Sequence, residues 1–175
     1  QSEFLAQALR ENTLRNMQIS AQARKLTKKL NDAGIVPLFL KGTIELLNAE
    51  TKNLGFRKQV DIDILVEPGQ LNAAAEVFLS DGYHFYEVSG APTSKANLIS
   101  DTKTAFRRSA AHHHLTPLVT PGYAATVELH RHHLPKRFQS GNPLAPLFSK
   151  AIQKERNGVS YQILSVEYQL IHLIL

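Results

Sequence analysis

Apolar residues recur with a helical period near the start of the chain. Ile19, Ala23, Leu26 and Leu30 are spaced 4, 3 and 4 apart, so they share one helical face within residues 3–31, which read as one long helix or two joined ones. Lys25, Lys28 and Lys29 fall largely off that stripe, as a solvated face would, and Asp32-Ala33-Gly34 closes the helix. Residues 35–40 form a short apolar run of buried-strand length, broken at Gly42-Thr43. A helix beginning at Ile44 ends at Asn53-Leu54-Gly55. Residues 60–66 read as a second strand, stopped by Pro68-Gly69, and residues 71–79 as a helix ended by Asp81-Gly82. Residues 83–88 alternate as a third strand, and residues 89–100 read as a polar loop. Two β runs, 107–119 and 124–134, are expected to form a hairpin about Thr120-Pro121-Gly122-Tyr123. After a loop over 136–146, a helix is expected at 147–154, a strand at 159–164 and a last helix capped by Ser165, with Glu167 in its first turn.

That order predicts an α/β (α+β) fold, a mixed β-sheet with helices packed on it. A regular doubly wound sheet is excluded, because the last strands lack intervening helices. The 175 residues suffice for one domain with a sizeable core. The chain starts without Met and stops in a continuing apolar pattern, Leu170-Ile171-His172-Leu173-Ile174-Leu175. The expected division is therefore a main domain over 1–158 and, over 159–175, the start of a truncated C-terminal helical region.

Composition narrows the chemistry. Hydrophobic residues make up 43% and charged residues 20%, which fits a globular chain. The absence of cysteine excludes a disulfide scaffold, a thiolate zinc site and a cysteine nucleophile. A net charge of +5 suits an anionic partner. No stretch reaches the ~18 apolar residues of a membrane span, and the N-terminus lacks signal-peptide character. A cytoplasmic protein is expected, with no membrane partner.

The sharpest local feature is Val60-Asp61-Ile62-Asp63-Ile64-Leu65-Val66. On a strand the apolar residues Val60, Ile62, Ile64 and Val66 point to the core, and Asp61 and Asp63 point the other way side by side. Two carboxylates in that position repel, and a divalent cation would compensate them. The bland alternative is a pair of solvated Asp at a sheet margin. Upstream, Leu40-Lys41-Gly42-Thr43 carries a strand into a Gly and a hydroxyl, a setting in which backbone N–H groups approach phosphate. Arg57 lies close enough in sequence to reach the same pocket, and Thr126-Val127-Glu128-Leu129-His130 offers a third carboxylate on another alternating strand. For Lys41 and Arg57 the alternative is a surface charge or an ion pair with an Asp.

Taken in order, Leu40-Lys41-Gly42, Arg57, Asp61-Ile62-Asp63-Ile64-Leu65-Val66, Gly82-Tyr83 and Val127-Glu128-Leu129-His130 resemble the uncharacterised nucleotidyltransferase family. That family belongs to the DNA polymerase beta-like nucleotidyltransferase superfamily. The resemblance spans about residues 22–134. It implies a palm-like mixed sheet and a metal-dependent transfer of a nucleotide from a nucleoside triphosphate (ATP or another NTP) to a hydroxyl acceptor. It also implies two Mg²⁺ ions, with Mn²⁺ as a substitute. Carried over by position, Asp61, Asp63 and Glu128 would be the catalytic metal ligands. Gly42 and Thr43 would stand at the phosphate loop, with Lys41 and Arg57 neutralising phosphate. Two departures are visible: Gly-Thr replaces the usual Gly-Ser or Gly-Gly, and the stretch from Gly42 to Asp61 is longer than in compact members. The acceptor would be a small molecule, a protein or RNA.

His112, His113, His114, His130, His132 and His133 all fall in the expected hairpin. If it closes tightly at Pro121-Gly122, His113 falls opposite His130 and near Glu128, a donor set that suits Zn²⁺ or Mn²⁺. Three other readings therefore stand beside the transferase: a catalytically silent nucleotide-binding or regulatory member of the same fold, a His/Glu zinc hydrolase, and a nucleic-acid binder using Arg107-Arg108 and Lys136-Arg137. His84 and His172 read as packing residues. The position of Glu128 relative to Asp61 and Asp63 discriminates the first alternative from an active enzyme.

Overall fold

Helix α1 (Ser2–Asp32) buries the face that its spacing predicts: Ile19, Ala23, Leu26 and Leu30 have no exposed surface. Its cationic face is partnered, with Lys25 and Lys29 on Asp81 and Lys28 on Asp32. The computed structural model describes residues 2–48, 53–87, 97–99, 101–110, 112–141 and 143–174. After α1 come β1 (Leu38–Phe39), α2 (Lys41–Asn48), β2 (Asp61–Leu65), α3 (Leu71–Ser80), β3 (His84–Glu87) and β4 (Asn97–Ile99). Then follow α4 (Thr102–Arg108), β5 (Leu118–Val119), β6 (Thr126–His130), α5 (Leu144–Ser149), β7 (Ile152–Arg156), β8 (Val159–Ile163) and α6 (Val166–Ile174).

The described strands form one mixed sheet in the order β4-β3-β5-β6-β2-β1-β8-β7. The two central pairings decide the site. β2 runs parallel to β6, and β1 antiparallel to β2. Ile62 and Ile64 of β2 and Val127 and Leu129 of β6 join the α1 stripe in the hydrophobic core, so the alternate positions lie on the other face. Polar side chains of α1 also hold the sheet. Gln22 donates to Ala125 O at 2.9 Å and accepts from Ala125 N–H at 3.2 Å, and Asn31 exchanges two bonds with Ser160. β8 lies between β1 and β7, so residues 159–163 are inside the sheet.

The mixed sheet and most element types follow the sequence pattern. The differences have local causes. The run 107–119 is not a strand: residues 102–108 form α4, whose start is capped by the Asp101 carboxylate accepting the Thr104 N–H at 2.7 Å. Among the described residues of that run, Leu118–Val119 is the one strand, paired with β3 and β6, and His114 adds an isolated bridge to His130. The helix expected at 147–154 is split, because α5 ends at Ser149 and residues 152–156 turn back as β7. All five β7 residues are exposed, so the strand lacks the apolar alternation that would announce it. Within 35–40 only two residues pair, next to Pro37, which has no N–H to give the ladder. Val60 lies outside β2 and is half exposed. Residues 97–99, expected in a loop, pair with β3, while 88–96 and 100 lie outside the described residues.

Candidate active site

The parallel register of β2 and β6 sets Asp63 opposite Glu128 and Asp61 opposite Thr126. All three carboxylates therefore lie on the sheet face away from the Ile62–Ile64 side. Their environments differ. Asp63 is fully buried; Asp61 and Glu128 are half-buried. Burial, and then the charges of Asp63 and Glu128, raise the pKa of Asp61. Glu128 is held down to about 2, chiefly by its interaction with His130, against the effect of burial.

The cations come from two elements. Lys41 stands where β1 passes into α2 with φ +50°, a left-handed conformation that a side-chain-bearing residue rarely adopts. Its Nζ donates to Asp63 Oδ1 at 2.6 Å and lies 3.7 Å from Glu128 Oε2. His130, fully buried, places Nε2 at 2.9 Å from the same Asp63 oxygen and 3.6 Å from Glu128 Oε2. Burial opposes a charge on His130, but the contacts with Asp63 and Glu128 outweigh it and raise its pKa. Asp63 Oδ1 thus has two partners, whereas Asp63 Oδ2 is buried with none.

Ligand atoms of Asp63, Glu128 and His130 lie within 4.8 Å of one another, the one such group among the described residues that could hold a metal ion. An unpartnered, buried carboxylate oxygen of Asp63 near a half-buried Glu128 carboxylate fits a divalent cation. The expected pairing of His113 with His130 is replaced by a bridge between His114 and His130, one residue along. His113 keeps its ring 5.3 Å from His130, yet it is outside the metal-competent group. Its pKa falls to about 4, mainly through burial and then through His130 and His114. The group therefore offers one imidazole, not the two that the hairpin register suggested.

Gly42 and Thr43 open α2, but their side-chain positions serve β2. Thr43 is fully buried, and its Oγ1 accepts the Asp63 N–H at 3.1 Å. A Cβ on Gly42 would clash with the Gln59 side-chain oxygen. Gln59 in turn donates from Nε2 to Asp61 O at 2.8 Å and to Asp61 Oδ1 at 3.1 Å. Arg57 is not brought onto the carboxylates; its Nη1 pairs with Glu45 Oε2 at 2.7 Å. Both line a cavity of about 270 Å³ that also touches Lys41, Ile44, Leu164 and Gln169. His172, read from sequence as a packing residue, lines it too. Sequence reasoning missed Gln59, whose signal was its parity with Asp61 and Asp63, and Glu45, Leu164 and Gln169, for which no local signal exists.

A family model described as uncharacterised nucleotidyltransferase matches residues 2–175. Neither the curated proteins nor the solved structures contain a match to the chain. No helix among the described residues is long and apolar enough to cross a membrane.

Proposed function

The chain belongs to the uncharacterised nucleotidyltransferase family, and from that premise we propose that it transfers a nucleotide from a nucleoside triphosphate to a hydroxyl acceptor. In this reading Asp61, Asp63 and Glu128 hold Mg²⁺, or Mn²⁺ in its place. A divalent ion so held supplies positive charge to the phosphate oxygens and lowers the pKa of the acceptor hydroxyl. The acceptor hydroxyl gives its proton to water, its oxygen bonds to the α-phosphorus, the bond from that phosphorus to the oxygen bridging the β-phosphate breaks, and pyrophosphate leaves.

The residues around the carboxylates have separate tasks. Lys41 and Arg57 flank the cavity and neutralise phosphate. Gly42 and Thr43 stand in the first turn of α2, whose positive dipole end favours an anion, although the Thr43 N–H itself is donated to Leu40 O at 3.2 Å. Ile44 and Leu164 give the cavity an apolar wall, on which the nucleoside rests. Thr43 and His130 fix the backbone and the carboxylate of Asp63, so that its free oxygen keeps one position.

The observation that carries the proposal is the parallel pairing that sets Glu128 opposite Asp63, whose Oδ2 is buried without a partner. The pairing gives Asp63 the third acid that an active enzyme needs, while Asp61 stands outside the group of Asp63, Glu128 and His130 whose ligand atoms lie within 4.8 Å of one another. Asp63→Asn and Glu128→Gln should each lower metal-dependent binding of ATP or GTP at least ~100-fold while far-UV circular dichroism stays unchanged. Calorimetric titration of the magnesium nucleotides into each form makes the comparison. Equal affinity in mutant and wild type would overturn the reading. Labelled nucleotides with a cell extract then identify donor and acceptor together.

A further inference from the structure

Lys41 faces two places. Its ammonium lies between Asp63 Oδ1 and Glu128 Oε2, at 2.6 and 3.7 Å, where it neutralises the carboxylates. Its side chain is one-third exposed and lines the cavity shared with Arg57. The carboxylate oxygens of Asp63 and Glu128, two of the three residues whose ligand atoms lie within 4.8 Å of one another, are the ones the ammonium already contacts. A divalent ion placed among them would stand within a few ångströms of a fixed positive charge and be repelled by it. One of the two cations must leave.

Lysine is suited to leaving. It is a compact charge on a flexible four-carbon stem, and a buried carboxylate that it releases is still held by His130. The cavity beside it offers the ammonium no carboxylate that is free, since Glu45 is paired with Arg57. An anion brought into that cavity would supply the missing partner. Phosphate does so, and Arg57 is positioned at the same wall to share it.

We propose that Lys41 is the resident counter-ion of the carboxylate site in the metal-free protein and moves onto the phosphates of an incoming nucleoside triphosphate. The divalent ion then enters as its complex with the nucleotide, not alone. This rests on the nucleotidyltransferase reading above. It adds a binding order and a coupling: what draws Lys41 away favours the metal, and by reciprocity the metal favours the nucleotide. A lysine that is only a phosphate clamp would leave the affinity for free metal unchanged when removed. A lysine that only supports the fold would weaken both ligands.

The test uses the whole chain, Mn²⁺ followed by its electron paramagnetic resonance signal, and a non-hydrolysable α,β-methylene triphosphate. Lys41→Gln, which keeps a donor near Asp63, and Lys41→Met are compared with wild type. The expected result has opposite signs: Mn²⁺ alone binds roughly tenfold more tightly to the variants, and the analogue binds roughly tenfold more weakly. Folded variants whose affinity for Mn²⁺ alone is unchanged or lower would overturn the inference, while Mn²⁺ recruitment by the analogue in wild type would leave the nucleotidyltransferase reading standing. Failure of wild type to bind Mn²⁺ with or without the analogue would overturn both. A crystal structure of the unaltered chain with Mg²⁺ and the analogue reads the same point without a mutation. Lys41 Nζ on phosphate oxygens supports the proposal, and Nζ still on Asp63 rejects it.

Discussion

Asp63 has its backbone N–H on the Thr43 hydroxyl, one carboxylate oxygen on Lys41 and His130, and the other oxygen buried without a partner. Thr43 is thus the link between the start of α2 and the strand that carries the acid. Replacing it by Val keeps the shape and removes the acceptor, leaving a buried N–H unpaired. Thr43→Val should cost ~1–3 kcal/mol by urea unfolding, and Thr43→Ser much less, because Ser keeps the oxygen. If Thr43→Val were as stable as wild type, the hydroxyl would not be supporting the strand. At this scale the two acids of β2 and the acid of β6 were legible, because alternation along a strand assigns faces without knowing the neighbours. The burial of Asp63 was not legible. It depends on Lys41 and His130, which arrive from elements 22 and 67 residues away in sequence.

Local sequence signals were followed unevenly at the level of elements. Asn157-Gly158 joins β7 to β8 with φ +53° and +74°, the conformation of a two-residue type I′ hairpin turn. That dipeptide is a strong hairpin signal, yet the polar run Gln153-Lys154-Glu155-Arg156 hides the strand before it. An exposed edge strand gains from charge and has no apolar face to show. Gly158 holds a left-handed conformation, and a Cβ there would meet no atom within 4 Å, so the penalty of a substitution is conformational alone. Gly158→Ala should therefore lower stability by about 1 kcal/mol, read in thermal or urea unfolding. A loss above several kcal/mol would show that the turn does more than reverse the chain. The same reasoning separates α1, whose long apolar stripe was plain, from β1, where two paired residues after a proline carry little pattern.

Across the whole molecule, histidine burial links the site's surroundings to stability. His133 follows β6, is almost fully buried, stacks on His132 and meets Tyr168 of α6 edge-on. Burial, then the neighbouring His132 and His172, lower its pKa from 6.5 to about 4. Between those values the unfolded chain binds the proton and the folded one does not. Stability is therefore fully present above about pH 6.5 and is lost as pH falls toward 4. His133→Gln should flatten this dependence by ~1–3 kcal/mol between pH 7 and pH 4.5, measured by urea unfolding at each pH. An unchanged slope would assign the acid sensitivity to other groups. By itself the sequence determined the mixed α/β class, the buried stripe of α1, the face of the three carboxylates and the family resemblance. Each follows from periodicity or from residue order, which are properties of the chain. Only the tertiary structure decided that β2 pairs in parallel with β6, so that Glu128 meets Asp63, that Lys41 rather than Arg57 reaches the acids, and that α6 lines the cavity. Register and proximity arise from long-range packing, in which a shift of one residue, as between His113 and His114 opposite His130, changes which side chains share a site.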